Sequence, residues 1–216
     1  MKIQNERQYL LQLISQGEHQ QQDFKYKVMD AEKLARSVSA FANTDGGRLL
    51  IGVRDDGHIS GIRSEEEIYM MHSAAYKYCE PQPSIHFDTY HAEGRNVVIA
   101  TVLPSPQKPV FALTAEGKHR AYVRINDENI LASPVHLDIW RQETSHQGAL
   151  IHYSDDESTL MEVLRSHEPQ TLNQIVKHAR LPRQKVIRIL ARFIRFGVAA
   201  WKYQEERFLF ALEESF

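Results

Sequence analysis

The sequence predicts an α+β fold in two parts. The larger N-terminal part carries a mixed sheet, and a smaller C-terminal part carries three helices and a hairpin. Three observations predict this. Through the first 125 or so residues the apolar spacing switches repeatedly between the period of a strand and that of a helix. The run Leu49-Leu50-Ile51-Gly52-Val53 is unbroken and apolar, the mark of a strand buried on both faces. After residue 154 the order is helix, helix, helix, strand, strand.

The elements follow in order. Glu6 to Ile14 has a short helical pattern that Gly17 ends, and Asp23 to Val28 alternates as a strand. Ala31 to Asn43 is an amphipathic helix with Leu34, Val38 and Phe41 on one stripe. Asn43-Thr44-Asp45-Gly46-Gly47 stops it with residues that tolerate positive φ. The apolar strand 49–53 comes next, and Asp56-Gly57 suits a tight turn. Glu65 to Tyr78 is a second long helix. Ile85 to Tyr90 and Asn96 to Leu103 form a hairpin about Glu93-Gly94. Pro109 to Leu113 and His119 to Ile125 form another about Glu116-Gly117. Strands are expected on one side of a single sheet layer and helices on the other.

The boundary falls at 145–155. Residues 1–145 make one domain, the polar stretch 146–154 a linker, and 155–216 a second domain. Ser154-Asp155-Asp156-Glu157 opens a helix with a cap and acids in its first turn, running to His167. Thr171-Leu172-Asn173-Gln174 matches a capping box for a second helix to Ala179. Leu181-Pro182 opens a third, with proline at its first position, which Gly197 ends. Ala199 to Tyr203 and Arg207 to Leu212 alternate as strands. Three helices and a hairpin, with a three-residue join between the second and third helices, is the order of a winged helix-turn-helix.

The third helix carries the clearest functional pattern. With Arg188 at zero and about 100° per residue, Arg192, Lys185 and Arg195 fall within an arc of about 80°. Val186, Ile187, Leu190, Phe193 and Ile194 occupy the opposite side. From Asn173 to Arg195 there are seven Lys or Arg and no acid. Such a face suits the phosphate charge of a duplex, and the topology would place this helix in the major groove. Gln184, Lys185, Arg188, Arg192 and Arg195 are the candidate nucleic-acid contacts, since Gln can read adenine and Arg guanine. The same face could instead be plainly solvated.

Composition excludes several classes. The 216 residues carry 26 Lys plus Arg against 28 Asp plus Glu, a net charge of -2, so a uniformly basic coat protein is excluded. Charge divides unevenly, -3 for residues 1–154 and +1 for 155–216. No stretch approaches the roughly 18 apolar residues that cross a bilayer, and the N-terminus lacks the apolar core of a signal peptide. A cytoplasmic protein with no membrane partner is expected. The single cysteine, Cys79, cannot form an internal disulfide. No P-loop, dinucleotide fingerprint, nucleophile elbow or His-Glu-x-x-His pair is present, so no cofactor is expected.

Residues Glu18 to Gly61 bring a family to view. The run holds Glu18, Asp23-Phe24-Lys25, Ser39-Ala40-Phe41-Ala42-Asn43-Thr44-Asp45-Gly46-Gly47, Leu50-Ile51-Gly52-Val53, Asp55-Asp56-Gly57 and Ile59-Ser60-Gly61. With Tyr122-Val123-Arg124 further on, it resembles the Schlafen-type AlbA domain over about residues 15–135. The resemblance implies nucleic-acid binding and a regulatory role, with a winged helix following in many bacterial members. Together with the basic helix, it leads to a DNA-binding transcriptional regulator acting on duplex DNA as a homodimer.

An alternative also comes from the resemblance. Some Schlafen relatives are endoribonucleases built on three carboxylates, which carry over to Glu18, Asp23 and Asp55. Only under that reading is a divalent metal implied, with RNA as substrate. Asp23 stands where those relatives have Glu. A protein-interaction module is the third reading, permitted by the near-neutral charge.

Overall fold

The computed structural model describes residues 2–62, 64–144 and 154–215. The chain forms two compact units, residues 1–131 and 132–216. The predicted linker 146–154 lies outside the described residues except for Ser154, which caps a helix.

In the first unit the elements are α1 (Lys2–Ser15), β1 (Gln22–Lys25), α2 (Ala31–Asn43), β2 (Gly47–Ile51), α3 (Glu65–Tyr76), β3 (Cys79–Glu80), β4 (Ile85–Ala92), β5 (Arg95–Val102), β6 (Phe111–Leu113), β7 (His119–Ile125) and β8 (Glu128–Leu131). They make two four-stranded sheets rather than one, ordered β1-β2-β5-β4 and β3-β6-β7-β8. The first is mixed: β1 runs parallel to β2, and the other pairs are antiparallel. The α+β class with a mixed sheet is as the sequence predicts.

The apolar run of β2 does what its composition requires. Leu49 and Ile51 face a core shared with α2 and α3, whereas Leu50 faces one shared with Leu10 and Leu13 of α1. Strand β2 is therefore buried on both faces at these positions.

Helix α2 departs from the one-sided helix expected. Beyond Leu34, Val38 and Phe41, the small residues Ala31, Ala35, Ser37, Ser39, Ala40 and Ala42 are also buried, because elements pack on more than one side of it. Side chains this small let β strands approach the helix closely on its second face. Buried polar groups there must be paired. Ser39 Oγ donates to Val110 O at 2.7 Å and accepts from Tyr122 N at 3.1 Å. Asn43 Nδ2 donates to Val110 O at 2.9 Å and Tyr122 O at 3.0 Å, and its Oδ1 accepts from Val110 N at 2.7 Å. The helix is thus laced to the segment entering β6 and to β7. Glycine at 47 is a steric demand: a Cβ there would lie 2.5 Å from the Phe41 ring.

The second unit holds α4 (Pro134–Thr144), α5 (Asp155–Ser166), β9 (Gln170–Thr171), α6 (Leu172–Ala179), α7 (Arg183–Arg195), β10 (Ala199–Gln204) and β11 (Arg207–Leu212). The last two form a hairpin, and β9 adds a third strand beside β11. Helix α4 is an addition to the elements the sequence predicts. It packs on α7, with Val135 in the unit's core, and the compact units divide after Leu131, ahead of the stretch 146–154 that the sequence reads as a linker. Both predicted caps are present: Ser154 with Glu157 on α5, and Thr171 with Gln174 on α6. Pro182 takes the cap position just before α7 rather than its first turn. Among the described residues, no helix is long and apolar enough to cross a membrane.

Candidate functional site

Two groups of residues are predicted to carry function, and the structure treats them differently. On α7 the buried face is wider than the sequence implies. Ile189 and Ala191 are buried along with Val186, Ile187, Leu190 and Phe193, an arc of about 200°. The extra burial comes from α4, which packs on α7 in addition to α5 and α6.

That packing divides the five predicted contacts. Arg192 is only 19% exposed and pairs with Glu157 at 3.1 Å. Lys185 is half exposed and pairs with Asp156 at 2.6 Å. Arg195 donates to Gln142 Oε1 at 3.3 Å, and Gln142 in turn donates to the carbonyl of Arg188. These three cations are therefore tied to their own unit, two of them by acids in the first turn of α5. The side chains of Gln184 and Arg188 are exposed, with no ion pair among the described residues. Three further cations of the acid-free window stand near them along the chain: Lys177, Arg180 and Arg183. Arg180 and Arg183 are exposed. Arg183 donates to Asn173 Oδ1 at 2.6 Å. Arg180 ends α6 in the left-handed region, at φ 54. The basic surface is thus shifted toward the α6–α7 turn and the first half of α7. The acid-free window is the sequence signal for it.

The second group is Glu18, Asp23 and Asp55. Glu18 and Asp23 meet. Glu18 Oε1 accepts from Phe24 N at 2.8 Å. Burial, the hydrogen bond to Asp23 and the charge of Asp23 push the Glu18 carboxyl up to about 7, against the opposing effect of the Phe24 N–H and Lys25. Asp23 is 4% exposed. Burial would raise its pKa, but the hydrogen bond from Glu18 and the charges of Lys25 and Arg124 together hold it below the usual carboxylate range. One proton shared between two carboxylates keeps both from carrying charge at close range.

Cations of the protein already occupy the place around Asp23. Lys25 Nζ lies 2.6 Å away and Arg124 Nη2 3.6 Å away, and Ser37 Oγ donates at 3.3 Å. Arg124 is itself 2% exposed. It donates to Gln22 O at 3.1 Å and Asn129 Oδ1 at 3.0 Å, and sits 5.0 Å over the Phe41 ring. The motif Tyr122-Val123-Arg124 therefore supplies an internal clamp between β7 and β1. Asp55 is exposed in the turn Asp55-Asp56-Gly57, where Gly57 N donates to Arg54 O at 2.8 Å. It does not complete a cluster: among the described residues, no three His, Cys, Asp or Glu side chains gather to hold a metal ion. With Asp23 held by Lys25 and Arg124 and Asp55 standing apart, the three carboxylates do not fit a divalent cation.

The isolated side chains behave as packing residues. Cys79 is buried, and burial pushes its thiol up to about 12. Trp140 is buried beside His136, and Trp201 packs edge-on to that imidazole at 4.6 Å.

Comparison with known proteins agrees with the resemblance read from the motifs. Among solved structures, the DIP2311 protein from Corynebacterium diphtheriae is similar at 17% identity and TM-score 0.46, over 91% of this chain and 34% of that one. The chain thus spans about a third of that protein. The N-terminal domain of a putative ATP-dependent DNA helicase RecG-related protein from Nitrosomonas europaea is similar at 17% identity and TM-score 0.39, over 67% of this chain and 97% of that one. No curated protein matches. Residues 18–133, more than half of the sequence, match the family model described as Schlafen, AlbA_2, and the chain belongs to that family.

Proposed function

We propose that this chain is a DNA-binding transcriptional regulator of the cytoplasm. Its C-terminal unit is read as a winged helix-turn-helix that grips duplex DNA, and its AlbA_2 unit as adding contacts or dimerisation. The observation that carries the reading is the exposed basic surface of the α6–α7 turn and the first half of α7, where Asp156 of α5 engages Lys185 and leaves the other cations without an ion pair among the described residues. It offers Arg180 at the end of α6, and Arg183, Gln184 and Arg188 on α7, whose opposite side is core. Arg188 and Gln184 have the chemistry to read base edges, and Lys177 and Arg180 to meet phosphates. As a two-fold dimer the protein would engage half-sites about one helical turn apart.

The test is a titration of fluorescent duplex DNA at several salt concentrations. Arg180→Ala with Arg188→Ala is expected to weaken binding and flatten the dependence of log affinity on log salt, by about 0.9 for each phosphate no longer engaged. Gln184→Ala should alter preference between sequences more than total affinity. An unchanged affinity and slope in the double variant overturns the proposal.

A further inference from the structure

A cleft of about 490 Å³ opens in the first unit beside the loop that joins β1 to α2. Its place follows from topology. β1 and β2 are parallel neighbours joined through α2. The carboxyl ends of both strands and the amino end of the helix therefore meet at one side, where sheets of this kind take their ligands. Phe24, Val28 and Leu34, all buried residues, give the cleft an apolar floor. Tyr26 and Met29 form its lip, and Met29 is 71% exposed, an unusual state for so apolar a side chain.

The charges around it are unequal. Lys25 lines the cleft, but its ammonium is held by Asp23. Asp30 lines it too, but its carboxylate turns onto the N–H groups of Glu32 and Lys33, capping α2. That leaves Lys27 and Lys33, with no side-chain ion pair among the described residues. Two acids lie on the lining, both exposed: Asp30, whose charge is offset by the amino end of α2 that it caps, and Asp55.

We propose that this cleft binds a small organic acid, with an apolar tail on the floor of Phe24, Val28 and Leu34 and a carboxylate between Lys27 and Lys33. The volume lies within the range of small-molecule sites, and an apolar lining with a few polar groups at the mouth is their common form. The site lies in the AlbA_2 unit and stands apart from the DNA reading, so either can fail alone. Met29 closes over the tail, and the two ammonium groups select an acid over a neutral compound of the same length.

The experiment uses the full chain with its methionine methyl groups labelled for NMR, octanoate as probe and 1-octanol as neutral control. Octanoate is expected to bind saturably, move the Met29 methyl signal, and bind at least tenfold more tightly than 1-octanol. Lys27→Gln with Lys33→Gln should bring octanoate down to the level of 1-octanol, with an unchanged circular dichroism spectrum. Asp55→Asn should tighten octanoate binding severalfold. Equal binding of acid and alcohol, a Met29 signal that stays still, or a lysine double variant that binds octanoate unchanged each overturns the proposal. A tetrauridylate that moves the Met29 signal where octanoate does not would assign the cleft to nucleic acid and overturn it as well.

Discussion

Removing the amide of Asn43 would take a hydrogen-bond partner from three buried backbone groups, Val110 N, Val110 O and Tyr122 O, of which Val110 O keeps Ser39 Oγ. Asn43→Ala is therefore expected to cost about 2–4 kcal/mol in a denaturant titration, well above an exposed Asn→Ala change. In sequence the Asn-Thr-Asp-Gly-Gly segment reads as a helix stop. That part is right, for Thr44 N and Gly46 N both close on Phe41 O. The larger role of Asn43 is hidden there because its partners lie 67 and 79 residues away in the chain. His136 makes a different prediction. Ser133 is the hydrogen-bond partner of Nδ1, while Nε2 is buried without a partner among the rings of Trp201 and Phe208. Burial lowers its pKa from 6.5 to about 4. The unfolded chain thus binds this proton at a higher pH than the folded one. Stability is fully present above about 6.5 and is lost as pH falls toward 4, by on the order of 3 kcal/mol. Glu18, raised to about 7, contributes with the opposite sign over the same range, so the loss is measured as the difference between denaturant melts of the protein and of His136→Leu at pH 7 and pH 4.

At the scale of elements, α5 and α7 show how a charged face read from one helix can be partly engaged by another. The angular separation of cations from apolar residues on α7 is real. Its destination is invisible in sequence, because the acids that neutralise it sit about 30 residues earlier, in the first turn of another helix. By themselves those acids read only as favourable charges at a helix start, which they also are. Lys185 is exposed enough to exchange partners, whereas Arg192 is not. Asp156→Asn should therefore release the Lys185 ammonium, tighten duplex DNA binding a few-fold and steepen the salt dependence by up to about 0.9. Arg192→Ala should act mainly on the fold. It leaves Glu157 buried and unpaired beside its cap on Ser154, a loss of about 3 kcal/mol read by thermal melting. Equal effects of the two variants on DNA and on stability would contradict this division.

For the whole molecule, the sequence displays the α+β class, the mixed sheet and the three-helix-plus-hairpin order, because those rest on local period and caps. It does not display where one compact unit stops. Helix α4 has a weak apolar stripe, and its start signal, Ser133 as cap before Pro134 at the first position, with His136 N donating to Ser133 Oγ at 3.3 Å, does not say which unit the helix joins. Only the partners it meets reveal its allegiance: Val135 enters the core that holds Leu190 and Phe210, and His136 seats between Trp201 and Phe208 of the hairpin. The alternative boundaries make opposite forecasts. A chain of residues 132–216 keeps α4 and should fold alone, melt in one cooperative transition and retain the salt dependence of the full chain on duplex DNA. A chain of residues 146–216 lacks Val135 and His136. It uncovers Ile189 and Ala191 on α7 and forfeits about 1.5–3 kcal/mol for each large apolar side chain that is removed from the core or newly exposed to water. For a unit this small, that should lower the melting temperature by at least about 10 °C. Equal melting temperatures for the two chains would show that α4 does not belong to the second unit.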